Sequence, residues 1–237
     1  MFAAAYTGLV TSVFGFSLSF VNPGLPELGA ATPSSLFAVQ ASADGEGDQS
    51  GEDVKNEEEE AYFKALDNRA ELAKWHRILG IATWGSMALT TVFGAIQYYN
   101  LYGVFAGQGS NPCVEGNAVF GQSQCSGTPA LHAVSAGLTA GLYYTTFTLS
   151  LLMPDPDDAS AGQSEFAKNI RTHKWLRWIH FGGMAVQAVL GIVSANGELL
   201  GLDRANDYGT LQAISTVHLT TGLITLGALS WAALLML

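Results

Sequence analysis

The chain has 237 residues, 49% of them hydrophobic and only 13% charged, roughly half the charged share of a soluble domain. Its net charge of −10 belongs mostly to one segment: eleven of the twenty acids, against three of the ten bases, lie between Asp44 and Glu71. A basic nucleic-acid footprint is absent, and the lack of C-x-x-C-H or C-x-x-C excludes covalent c-type haem and paired-cysteine zinc or iron–sulfur sites.

Residues 2–21 form a first apolar run without a charge. We read residues 1–21 as an N-terminal anchor helix. The alternative is a cleaved signal or a mis-assigned leader, since Ala-Ser-Ala follows at 41–43. No base precedes Lys55, however, so the positive start of a secretory signal is missing. Residues 22–60, rich in Pro, Gly, Ser and acids, have too little apolar content to fold alone and read as a disordered linker. Residues 61–237 form the third unit. Within it, after a helical lead-in, come four apolar runs at about 78–102, 129–153, 178–202 and 211–237. Each is near the 20 or so residues needed to cross a roughly 30 Å hydrocarbon core. Trp75, Tyr98, Tyr99, Tyr102, Trp175 and Trp178 mark the membrane interfaces. The expected fold is all-α: an integral membrane four-helix bundle with an extra N-terminal apolar helix.

The two membrane faces differ in charge. Side A, where the first and third core helices start, carries Lys74, Arg77, Lys168, Arg171, Lys174 and Arg177; side B carries only Arg204. The positive-inside rule puts side A in the cytoplasm, and we expect an integral protein of a bacterial inner membrane with the N-terminus of the core domain cytoplasmic. Cys113 and Cys125 then share the side B loop, in a compartment that permits a disulfide between them.

Four of the five histidines stand near the start of a core helix: His76, His132, His180 and His218. Because successive helices alternate in direction, His76 and His180 share side A while His132 and His218 share side B. Ionisable groups inside a membrane are costly and usually functional. An imidazole bound to iron through one nitrogen, with the other donating a hydrogen bond, is satisfied there. Two bis-histidine haems b are the expected cofactors, with Arg77 and Arg177 at the side A rim facing their propionates. Gly80, Gly183 and Gly222 follow ligand histidines and would let a flat macrocycle approach the backbone. His173 reads instead as a solvated interface residue. The competing reading is that every histidine is an interfacial residue bonded to a neighbour. Gln187 reads as an interhelical hydrogen-bonding residue, Tyr143 and Tyr144 as packing, and Asp155, Asp157 and Asp158 as a solvated turn.

Trp75-His76, Leu131-His132, Trp178-Ile179-His180 and Val217-His218 on four consecutive helices resemble the cytochrome b561-like di-haem membrane cytochromes. The resemblance spans residues 73–237. It implies histidine pairing of the first helix with the third and the second with the fourth, and electron transfer across or within the membrane. Animal and plant members have six spans where this chain has five at most, and no ascorbate site is evident. The implied partners are the lipid bilayer, a quinol or another redox donor, a redox protein acceptor and, as a subunit, a larger complex. Whether the chain is itself an enzyme stays open. The rival functions are a haem-modifying or quinone-reducing membrane enzyme, and a haem-free anchor subunit.

Overall fold

The computed structural model describes residues 49–125 and 129–236, so the expected helix over residues 1–21 and the linker up to residue 48 lie outside the described part. Among the described residues every regular element is helical: α1 (Gln49–Tyr102), the one-turn α2 (Pro112–Glu115), α3 (Ala130–Leu152), α4 (Glu165–Ala195) and α5 (Tyr208–Leu234). The sequence marks the ends of these helices. Gly103, with φ of +53°, closes α1 in the left-handed conformation that glycine adopts without strain. Pro154 forces Met153 into an extended conformation and so stops α3. Ser164 caps α4 by accepting the Ala167 N–H at 3.1 Å.

The last part of the expected linker is ordered. Residues 49–60 are the beginning of α1, whose Glu, Ala and Lys residues favour helix and whose 54 residues make it roughly 80 Å long. That is far more than a membrane span, so the acidic first half extends beyond the apolar second half.

Three helical stretches are long and apolar enough to span a membrane: Val54–Tyr102, Glu165–Ala195 and Tyr208–Leu234. The fourth expected span, α3, is 23 residues long and uncharged, but His132, Thr, Tyr and Gly dilute its apolar character. It packs against α1, which also meets α5, while α4 packs against α5. The burial pattern is inverted relative to a soluble protein. Ile81, Leu89, Val92, Val189 and Ile224 are exposed, whereas Thr83, Asn100, Thr139 and Thr225 are buried. Small polar residues at helix contacts and aliphatic residues outside suit a lipid surrounding, where water offers no penalty for outward apolar groups.

Two clamps hold the helix ends. On side B, Cys113 and Cys125 are joined in a disulfide. Asn100 ties the same loop to α1 by exchanging two hydrogen bonds with the backbone of Val119, at 2.8 and 3.0 Å. On side A, the turn after α3 is more than solvated. Asp155 pairs with Arg69 of α1 and, at 2.9 Å, with Lys174 of α4, while Tyr62 donates to Asp157 at 2.6 Å. Burial opposes charge on Asp155, but the Ala159 N–H, Lys174 and Arg69 outweigh it and hold the carboxyl well below its ordinary 3.8. A depressed folded value means the stabilisation is complete above that ordinary value and fades as pH falls below it. Asp155→Asn should therefore lower the unfolding temperature in detergent at pH 7, with the gap to wild type closing below about pH 4. A gap of equal size at pH 3 and pH 7 would refute the clamp.

Candidate functional site

The histidines do form two facing pairs, but one partner differs from the expected set. His76 faces His173, with ring centres 6.1 Å apart and planes at 82°; His132 faces His218, also at 6.1 Å, with planes at 83°. The expected partner of His76, His180, turns to α3 instead, where its Nδ1 meets the Tyr143 hydroxyl at 2.7 Å. The reading of His173 as solvated is likewise corrected: it is half-buried between α1 and α5, and its Nδ1 donates to the Ala232 carbonyl at 2.9 Å.

Nearly every facing imidazole is anchored in one way. His76 Nδ1 donates to the Thr146 carbonyl at 3.1 Å, and His132 Nδ1 to the Thr90 carbonyl at 3.1 Å. With His173, three of the four rings thus carry their proton on Nδ1, leaving the Nε2 lone pair free to bind. The Nδ1 of His218 is buried without a partner.

The anchors repeat in register. Gly94 follows His76 by 18 residues and Gly191 follows His173 by 18; Thr146 follows His132 by 14 and Ala232 follows His218 by 14. A Cβ on Gly94 would lie 2.9 Å from Cε1 of His132, and one on Gly191 3.4 Å from Cε1 of His218. The hairpins α1–α3 and α4–α5 are therefore two copies of one design, each copy giving one imidazole to each pair. Parallel repeats of this kind are a common way to build a membrane bundle around an axis along its normal.

The two imidazole pairs have the donor type and spacing that would suit a metal macrocycle held between them. With metal–nitrogen bonds of about 2.0 Å and about 1.1 Å from nitrogen to ring centre, two imidazoles on opposite sides of one metal have centres about 6 Å apart. Around His132 and His218 lies a mostly apolar cavity of about 600 Å³, lined also by Gly94, Gly191, Met87 and Met184. Arg204, the lone base on side B, lines the same cavity. Near the other pair, Arg177 bonds the Ser150 carbonyl at 3.2 Å, lies 5.3 Å from the Trp178 ring, and keeps a buried Nε–H without an acceptor. That unanswered donor, one turn past His173, suits an anionic group. Arg77 is exposed. No three His, Cys, Asp or Glu side chains gather as a metal site among the described residues, so metal binding would rest on the imidazole pairs.

Other expected contacts are redistributed. Gly183 meets Thr225 of α5, and Gly222 meets Gln187, which donates to the His218 carbonyl at 2.7 Å. A Cβ on Gly80 would lie 3.9 Å from Thr146 Cγ2. Gly94 and Gly191 were the missed glycines. Aligning the two halves of the sequence on His76 and His173 would have exposed them. Comparison with known protein families, curated proteins and solved structures finds no match.

Proposed function

We propose that this chain is a b-type membrane cytochrome with four transmembrane helices and two bis-histidine haems b, carrying electrons across or within the bilayer. One haem would lie between His76 and His173, the other between His132 and His218. The observation that supports this reading is the repeated pair of facing imidazoles at 6.1 Å, each at one end of the helices. A haem supplies a one-electron ferric–ferrous couple when bound.

The chain's own residues supply the rest. The Thr146, Thr90 and Ala232 carbonyls fix the imidazole tautomers. Gly94 and Gly191 leave the rings of His132 and His218 room to face each other. Arg177 and Arg204 offer positive charge for carboxylates, and the apolar walls around His132 and His218 would keep water out of that site. As the fourth span, α3 is about 34 Å long, enough for a roughly 30 Å core. The donor would be a quinol or another redox carrier and the acceptor a redox protein, with side A cytoplasmic in an inner bacterial membrane.

The full chain, purified in detergent, should bind two haems per chain and show a six-coordinate b-type spectrum unchanged by carbon monoxide. A carbon monoxide shift of the reduced spectrum would favour the haem-modifying or quinone-reducing enzyme instead. Protein that takes up no haem under any condition would reject the reading and leave the anchor subunit.

A further inference from the structure

Tyr143 and His180 belong to neither facing pair, and the internal repeat singles them out. The 97-residue offset that carries His76 onto His173 carries Thr83 onto His180, and the 86-residue offset that carries His132 onto His218 carries Tyr143 onto Leu229. Neither counterpart exchanges protons, so one copy of the design has acquired a titratable imidazole where the other has a threonine. The pair is buried, with 8% of His180 and 2% of Tyr143 exposed. Phe147 stacks on Tyr143, and Phe181 stacks on Phe147 at 4.4 Å. Along α4, His180 is two turns, roughly 10 Å, deeper than His173.

A buried ionisable group in a membrane persists where it has work to do. The hydroxyl suits it to two protonation states. The neutral imidazole accepts the Tyr143 O–H at Nδ1; an imidazolium donates from Nδ1 to the same oxygen once that hydroxyl has turned.

We infer that His180, partnered by Tyr143, binds a proton more tightly when the His76–His173 site is reduced by one electron. The inference rests on the cytochrome reading above. One electron arrives from the donor, a quinol in the membrane or a mediator in the cuvette. Protons pass from side A water to His180 Nδ1, at most about one for every two electrons at a tenfold change of affinity, and no other bond forms or breaks. At about 10 Å and an effective dielectric of about 20, one unit of charge changes proton affinity roughly tenfold. The titratable and charged groups around His180 are His76 from α1, Tyr143 and Tyr144 from α3, and His173 and Arg177 on α4. The one histidine of α5, His218, belongs to the opposite end.

Mediated redox titration of the haem-loaded full chain from pH 4 to 8.5 tests this. The potential of the His76–His173 site should fall by roughly 60 mV in total as pH rises, the tenfold coupling converted at 59 mV per decade. His180→Gln, which keeps a hydrogen-bonding group but cannot ionise, should abolish that fall and leave the His132–His218 site unchanged. Tyr143→Phe, which removes the acceptor for the imidazolium, should move the fall to lower pH. A pH-independent potential in the wild type, a fall that survives His180→Gln, or a Tyr143→Phe profile matching wild type would each overturn the inference with the cytochrome intact. Failure to bind haem at all would instead count against the cytochrome reading.

Discussion

Alanine at His76 or at His173 should halve the haem content, from two per chain to one, and both changes should remove the same haem. Alanine at His132 or His218 should remove the other. The reason is geometric: each pair faces itself alone, with ring centres 6.1 Å apart, at its own end of the helices. His180→Ala should keep both haems, because its imidazole is engaged by Tyr143. The double change His76→Ala with His173→Ala should lose no more haem than either single, as expected for two groups acting on one site. Haem per protein and resolved redox titrations measure all of this. Loss of a haem in His180→Ala with retention in His173→Ala would restore the pairing expected from sequence and break the geometric argument. Should every variant keep both haems, the imidazoles are interhelical anchors and nothing more.

Gly183→Ala should be among the most disruptive single-methyl additions in the bundle. A Cβ there would collide with Thr225 Oγ1 and lie 3.1 Å from its Cβ. Thr225 has little room to retreat: it is 2% exposed, β-branched, and held by its own hydroxyl to the Thr221 carbonyl at 2.7 Å. Overpacking of this kind typically destabilises by about 1–3 kcal/mol, here by separating α4 from α5. Its neighbour provides the control. Gly182 has nothing within 4 Å, so Gly182→Ala should keep or raise stability, by up to about 1 kcal/mol. Adding Thr225→Ala to Gly183→Ala should recover part of the loss, since the hydroxyl and methyl that clash are gone. Unfolding in detergent of the four proteins decides it; equal stability of the two single glycine variants would show that the interface is looser than it stands.

Much of the architecture was readable beforehand from particular residues. Pro154 and Gly103 announce helix ends, and the apolar runs announce spans. The start of α1 was not readable in the same way. Residues 49–60 are too polar to bury a face, so composition pointed to disorder. Their helix continues one that is anchored further along, through Arg69 and Tyr62 to the Asp155 turn. Those are contacts between segments 86 and 95 residues apart, which no local pattern encodes.

The sequence by itself determined that the apolar helices needed a lipid-like surrounding, because long uncharged runs have no polar stripe to offer water. It also determined that histidines come near alternate helix ends. Which imidazole faces which was decided only by the tertiary structure. His173 and His180 are seven residues apart, and seven residues at 3.6 per turn fall within about 20° of two full turns. Both therefore sit on nearly one face of α4, and helical periodicity cannot choose between them. The choice is one of depth, set by the register in which α5 packs against both α4 and α1. In that register the Ala232 carbonyl meets the first ring and holds it opposite His76, while the Tyr143 hydroxyl of α3 takes the second.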